Sequence, residues 1–252
     1  MIPCETFTRP ESITVNPNGT FSKVIVLGGE TVSRTEDSSD PAKGLPAEGD
    51  SCSLPKEITL ERDACAEIVI IVLPGADCRL PLKVRLTGEG AQANISGIFI
   101  TGADEKVNIA VDVFHDTPRC TSRQLFKGIA GGNSKVDFYG KIVVAQDAQK
   151  TEAYQENHNI LLSDSARVNT KPRLEIYADD VKCSHGATVG KLNEDEQFYM
   201  RSRGIPEDEA KVLQMISFVA PVREAVPEES SDGSPCRSAV AGEVENAIRS
   251  FA

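Results

Sequence analysis

At 252 residues and 40% hydrophobic content, the chain has enough apolar material for one large domain, or one domain with an appendage. Its net charge of −11 argues against nucleic acid and anionic membrane surfaces, which select basic patches, and permits partners with basic faces. The longest apolar run, residues 68–73, is far too short to span a bilayer, and the start MIPCETFTRPES has neither the basic nor the apolar region of a signal peptide. There is no Trp and only 5% aromatic content, so the core has to be built from Val, Ile, Leu and Ala, which suits narrow layers of strands. Seven cysteines (Cys4, Cys52, Cys65, Cys78, Cys120, Cys183 and Cys236) lie scattered without a C-x-x-C. The odd count and wide spacing disfavour a disulfide framework or a closed four-cysteine zinc site, and fit a reducing cytoplasm.

In chain order, KVIVL at residues 23–27 predicts a strand, and the Ser-, Asp-, Pro- and Gly-rich residues 35–53 predict a mobile loop. From residue 58 short apolar segments follow one another: ITL, EIVIIVL, LKVRLTG, NISGIFITG, KVNIAVDVFH, KVDFYGKIVV, HNILLS and RLEIYA, with turn residues between them. Small-residue corners recur at Gly90-Ala91, Asp147-Ala148, Ser165-Ala166 and Gly186-Ala187, the last three spaced 18 and 21 residues apart. That is the irregular beat of a β-solenoid, whose coils stack on one another; a sandwich or jelly roll gives a similar pattern, and the pattern alone leaves the two open. His115, Cys120 and His158 read more simply as surface or hydrogen-bonded residues than as ligands. Gln149, Lys150 and Gln155 form a polar run that a solenoid would stack as a ladder between coils. Arg123, Lys127 and Lys141 have no evident acidic partner in the sequence.

Residues 171–204, KPRLEIYADDVKCSHGATVGKLNEDEQFYMRSRG, carry the densest set of chemically capable groups and mark a change of period. Leu174, Ile176 and Ala178 alternate with Glu175, Tyr177 and Asp179, as in a half-buried strand, and Asp179-Asp180 breaks or bends it. Val181, Cys183 and His185 then fall on one face of an extended chain, about 6.5–7 Å apart. A thiolate and an imidazole at that spacing suit one metal ion, but zinc and iron–sulfur iron usually take four ligands, so others would come from elsewhere or from another chain. The simpler reading makes Cys183 a small core hydrophobe and His185 a hydrogen-bonded turn residue.

After Gly190 the period becomes helical. Asn193 is an N-cap candidate followed by Glu194, Asp195 and Glu196; Phe198, Tyr199 and Met200 supply apolar contacts, Arg201 and Arg203 lie in the last turn, and Gly204 ends it. A second helix starts at Pro206, carries a stripe of Val212, Leu213, Ile216 and Val219, and stops at Pro221. An acidic linker (residues 224–235) leads to a last amphipathic helix with Val240, Val244, Ala247, Ile248 and Phe251 on one side. The expected organisation is an irregular capping segment over residues 1–57, a β-helix core over 58–190 and a helical region over 191–252.

LEIYADDVKCSHGATVG followed by FYMRSRGIPEDEA resembles the C-terminal core of the SufB/SufD family, components of the SUF iron–sulfur cluster assembly machinery. The likeness extends upstream through FKGIAGGNSKVDFYGKIVVAQDAQKTEAYQENHNILLSDSARVNTKP and covers residues 115–220; KCSHGAT is similar to the SufD-like branch. Residues 1–110 resemble the family only loosely, and the N-terminal helical region of the usual, longer member is not found. The resemblance implies a mainly β fold, a right-handed parallel β-helix with a C-terminal helical cap, with the N-terminal region at one end of the stack and the helices at or beside the other. It implies a non-catalytic scaffold working with a SufC-like ATPase and a SufB-like subunit, or with itself. Phe198, Tyr199, Arg201, Arg203 and Leu213 would face the ATPase. Glu175, Tyr177 and Asp179 would line the joint between subunits. His185 and, secondarily, Cys183 would meet a transient iron–sulfur cluster or iron at the interface, with no cofactor held stably by this chain alone.

No phosphate-binding loop, nucleophile elbow or H-E-x-x-H motif is present in the sequence. Many β-helix proteins cleave polysaccharides with clustered carboxylates, so a free-standing carbohydrate-active enzyme is the alternative, though Asp179 and Asp180, adjacent on a strand, would point to opposite faces.

Overall fold

The computed structural model describes residues 12–28, 54–229 and 236–251. Its strands are β1 (Ser12–Val15), β2 (Thr20–Leu27), β3 (Glu57–Leu60), β4 (Cys65–Val72), β5 (Cys78–Leu86), β6 (Gln92–Thr101), β7 (Lys106–His115), β8 (Thr121–Ala130), β9 (Lys135–Val144), β10 (Glu152–Leu161), β11 (Arg167–Ile176) and β12 (Lys182–Gly190). Odd-numbered strands stack into one parallel six-stranded sheet in chain order and even-numbered strands into a second, so each coil gives one strand to each sheet. The result is a mainly β solenoid with C-terminal helices.

The alternation seen in the sequence is the alternation between the inside of the coil and its outside. In β7, Val107, Ile109, Val111 and Val113 are buried in the lumen, while Asn108, Ala110 and Asp112 face out. The unbroken run in β4 has a second cause. Ile68, Ile70 and Val72 enter the lumen core, while Val69, Ile71 and Leu73 belong to a separate apolar cluster on the outer face of the second sheet. A strand buried on both faces loses its alternation.

That outer face is covered by two of the three helices, α1 (Glu194–Ser202), α2 (Glu207–Glu224) and α3 (Cys236–Arg249). Val212, Met215, Val219 and Val222 of α2 and Val240, Val244 and Ile248 of α3 pack on Val69, Ile71, Leu73, Ile98, Ile100 and Ile129. Each fully buried aliphatic side chain contributes about 1.5–3 kcal/mol, enough to hold both helices to the solenoid. Phe251 lies against Gly102 and Gly131, where a side chain would meet its ring at 2.9 and 2.8 Å. The helices therefore run along the flank of the stack and leave its C-terminal end open.

Several expectations change. The strand expected at residues 23–27 is found in Thr20–Leu27, and with Ser12–Val15 it forms the first coil of the solenoid where an irregular cap was expected. The expected mobile loop at residues 35–53 lies outside the described residues, as do residues 230–235 of the acidic linker. One coil takes about thirty residues, as in the Gln124–Gln155 pair 31 apart, so the 18-residue spacing from Asp147 to Ser165 records a half-coil, while the 21-residue one does not run from corner to corner. Gly186 and Ala187 are not a corner; they sit inside β12. Strand β8, whose TSRQLFKGIA shows little alternation, was not anticipated. Pro221 does not stop α2, which continues to Glu224 because Val219 and Val222 are buried on either side of it. Pro206 serves as the N-cap, one residue before the helix.

Candidate functional site at the open end of the solenoid

The lumen changes character along the stack. Early coils fill it with Ile58, Leu60, Ile68, Ile70 and Val84. Later coils put polar groups inside, including Ser122 and Gln124 on β8 and Gln155, Asn157 and Asn159 on β10, all buried. The Gln155 Nε2 amide donates to Gln124 Oε1 at 3.0 Å, so the polar run around residue 155 does form a ladder between coils. His115 is also inside, its Nε2 2.8 Å from Ser122 Oγ; desolvation pushes its pKa down to about 4, so it is neutral at physiological pH.

The stack ends at β11 and β12, each the last strand of its sheet, so their outer edges are unpaired among the described residues. Cys183 and His185 continue two inward columns, stacked on Ala153 and Gln155 respectively. Cys183 is half-buried against the lumen core, and this burial pushes its thiol pKa up, away from the thiolate form. His185, two residues on, is exposed at the mouth. Ile176, Tyr177 and Val189 are exposed around it, an apolar rim of the kind that marks a surface built to be covered.

The residues predicted to line a joint are spread over this rim and its side. Glu175 faces out from the first sheet, paired with Lys141 at 3.0 Å and, more loosely, with Arg173 at 3.9 Å. Tyr177 is 62% exposed just beyond β11. Asp179 is exposed in the bend between β11 and β12, so the Asp179-Asp180 pair lies in that bend and not on a strand. The Asp180 N–H donates to Gln149 Oε1 at 2.8 Å, and its carbonyl accepts from the Lys150 N–H, which makes that aspartate part of the corner.

The α1–α2 hairpin forms a second exposed surface. Asn193 caps α1 by accepting from the Asp195 and Glu196 N–H groups, and Gly204 ends it with φ +89°. No residue of α1 is buried. Phe198 and Tyr199 are 73% and 60% exposed, and Leu213, expected in the apolar stripe of α2, is 40% exposed. The buried stripe is instead Ala210, Val212, Met215, Val219 and Val222. Arg203 stacks over the Tyr199 ring at 5.1 Å, and Arg201 pairs with Glu207 at 3.4 Å. A groove of about 810 Å³ lined by Val189, Leu192, Tyr199, Met200, Leu213 and Phe218 connects the hairpin to the end of β12.

The other candidates are accounted for by local pairing. His158 lies on the outer face, between Thr188 Oγ1 at 2.9 Å and Glu156 Oε2 at 3.2 Å. Lys127 sits over Phe218 at 4.7 Å and Arg123 over Tyr154 at 5.9 Å. No group of three or more metal-ligating side chains gathers among the described residues. Cys183 and His185 thus supply at most part of a coordination sphere. Sequence reasoning missed Gln124, because its strand lacks the alternation that would have placed it inside. No helix among the described residues is long and apolar enough to cross a membrane.

Comparison with known proteins gives the open end a context. Residues 53–218 match the family described as SUF system FeS cluster assembly, SufBD core domain. The chain is 39% identical over 173 residues to the iron–sulfur cluster assembly protein SufD of Escherichia coli, covering 69% of this chain and 41% of that one. It is 45% identical over 116 residues to an iron–sulfur cluster assembly SufBD family protein of Synechocystis sp., covering 46% and 26%. It is 30% identical over 177 residues to a SufBD family protein of Mycobacterium bovis, covering 66% and 45%. The matched regions span less than half the length of each of these relatives. The match over residues 53–218 takes in the solenoid from β3 onward, α1 and the first two thirds of α2, and on that evidence the chain belongs to the SufBD core family of the SUF iron–sulfur cluster assembly system.

Proposed function

We propose that this chain is a non-catalytic scaffold subunit in iron–sulfur cluster assembly, joined through the open end of its solenoid to a SufB-like chain and through its α1–α2 hairpin to a SufC-like ATPase. The observation that carries the reading is the open end itself: two unpaired strand edges, an apolar rim, and His185 at the mouth. Strands from another solenoid, one added to each sheet, would satisfy the two edges by main-chain hydrogen bonds. His185 would then lie at the joint, where a nascent cluster, as cargo, takes its remaining ligands from the partner. Cys183 is the weaker candidate, since its burial disfavours the thiolate. The exposed Phe198, Tyr199 and Leu213 give the hairpin the aromatic and aliphatic anchors of a docking site.

A second copy of this chain fits the same edges, because two identical rims can meet about a two-fold axis. The carbohydrate-active alternative loses its candidate acid–base pair, since Asp179 and Asp180 stand in a bend and the latter's backbone is tied to the corner.

Anaerobic co-expression with SufC-like and SufB-like chains of the same organism, followed by size-exclusion chromatography, tests the proposal. The expected result is a stable complex that loses the ATPase, and only the ATPase, with Phe198→Ser and Tyr199→Ser. A chain that elutes alone and does not pair with itself would overturn it.

A further inference from the structure

Gln124, Gln155 and His185 occupy one inward column on successive strands of the second sheet, Gln155 pairing in register with both others. Adjacent strands stand about 4.8 Å apart, so side chains in one column touch the rung above and the rung below. The Gln155 amide is fixed from below, because its Nε2 donates to Gln124 Oε1 at 3.0 Å. The amide oxygen diverges from the nitrogen, so with Nε2 held by Gln124 the Oε1 is left to serve another neighbour, and His185 is the next rung of the column. That oxygen is buried and has no hydrogen-bond partner, although Gln155 as a whole is only 1% exposed. A buried acceptor left unpaired costs about 1–3 kcal/mol, a strong drive toward any donor that reaches it.

The facing sheet is shaped around this amide. Gly140 on β9 has no side chain where Gln155 lies: a Cβ there would stand 1.8 Å from Gln155 Nε2. The strand thus gives up packing volume to admit a polar head group into an otherwise apolar layer of Phe138 and Ile142.

We infer that Gln155, anchored by Gln124 and given room by Gly140, is the positioning residue for His185: its Oε1, unpaired in the structure, takes one ring N–H when the His185 ring turns inward, and so fixes the tautomer and leaves the other ring nitrogen, with its lone pair, facing out of the open end. Imidazoles that bind metals are oriented in this way by a carbonyl behind them. The inference rests on the reading of His185 as the interface ligand, but its test does not depend on that reading.

The test is ¹⁵N NMR of the chain labelled at histidine. There are only three histidines, so His185→Ala identifies the signals. The expected result is a single dominant neutral tautomer with a hydrogen-bonded ring N–H in the native chain. In Gln155→Leu the His185 nitrogens should move to the values of a free imidazole, while the His115 and His158 signals stay in place and report an intact fold. Gln155→Glu keeps an oxygen on the same rung and should restore the bond. Where Gln155→Leu does not fold, Gln155→Asn, which withdraws the acceptor by one methylene, should show the same loss. Unchanged His185 signals in a folded Gln155 variant would overturn the inference, whatever cluster loading shows. Loss of the bond in Gln155→Leu, together with normal cluster loading in His185→Ala, would uphold it and overturn the functional reading instead.

Discussion

Phe99 fills the space that a side chain at Gly128 would need: the two pair in register across β6 and β8, and a Cβ at position 128 would lie 2.1 Å from the Phe99 ring. The arrangement is reciprocal two residues earlier, where Gly97 pairs with Phe126 and a Cβ would lie 2.4 Å from that ring. The lumen is too narrow for rings on adjacent rungs of one column, so rings and gaps alternate. Gly128→Ala and Gly97→Ala should each destabilise the fold by about 1–3 kcal/mol through overpacking, as read by urea unfolding. Gly186→Ala, with nothing within 4 Å, is the matched control and should be near neutral.

His115 gives a pH dependence with a definite sign. Its pKa is pushed down to about 4 by burial, against about 6.5 in the unfolded chain. Between those values the unfolded state binds more protons, so stability is full above about pH 6.5 and falls as pH drops toward 4. The contribution is on the order of 3 kcal/mol at 1.36 kcal/mol per pKa unit. His115→Gln, which keeps a partner for Ser122, should flatten that part of the acid limb relative to the native chain in unfolding curves taken between pH 7 and 4.5.

The hairpin separates docking from stability. Phe198 and Tyr199 are mostly exposed, so replacing both with Ser should change unfolding free energy by less than about 1 kcal/mol. Capture of a SufC-like ATPase should nonetheless fall at least tenfold. A large loss of stability would show that α1 packs more tightly than its exposure indicates.

Cys183 should be a slow nucleophile. Burial raises its pKa, so less thiolate is present near neutrality than for an ordinary cysteine. Alkylation by iodoacetamide, followed by mass spectrometry of the Cys183 peptide, should run slower than a reference thiol at pH 7.5 and gain on it as pH rises. Reaction as fast as the reference would remove the reason for ranking Cys183 below His185.

A strand was legible wherever one of its faces meets the lumen and the other meets water, as in β7 and β9, while the choice of a solenoid over a sandwich came from the family resemblance. The pattern was hidden in β8, where Arg123, Leu125, Lys127 and Ile129 mix charge with the apolar contacts made to the helices, and where inward Ser122 and Gln124 are polar. The place of Cys183 and His185 on one face followed from strand periodicity. Their stacking on Ala153 and Gln155 did not, because register between coils depends on corner lengths that no local pattern encodes. The caps of α1 were readable from Asn193 and Gly204, which act through neighbouring backbone. The outward placement of Phe198 and Leu213 came from the family resemblance and not from helical periodicity, since an apolar residue on a helix looks the same whether it faces its own core or another chain.

The most direct measurement of the central claim is the iron and acid-labile sulfide content of the anaerobically purified complex, native against His185→Ala, at equal recovery of all subunits. His185 at the open end predicts an intact complex with cluster content reduced several-fold. An intact complex with native cluster content would contradict it.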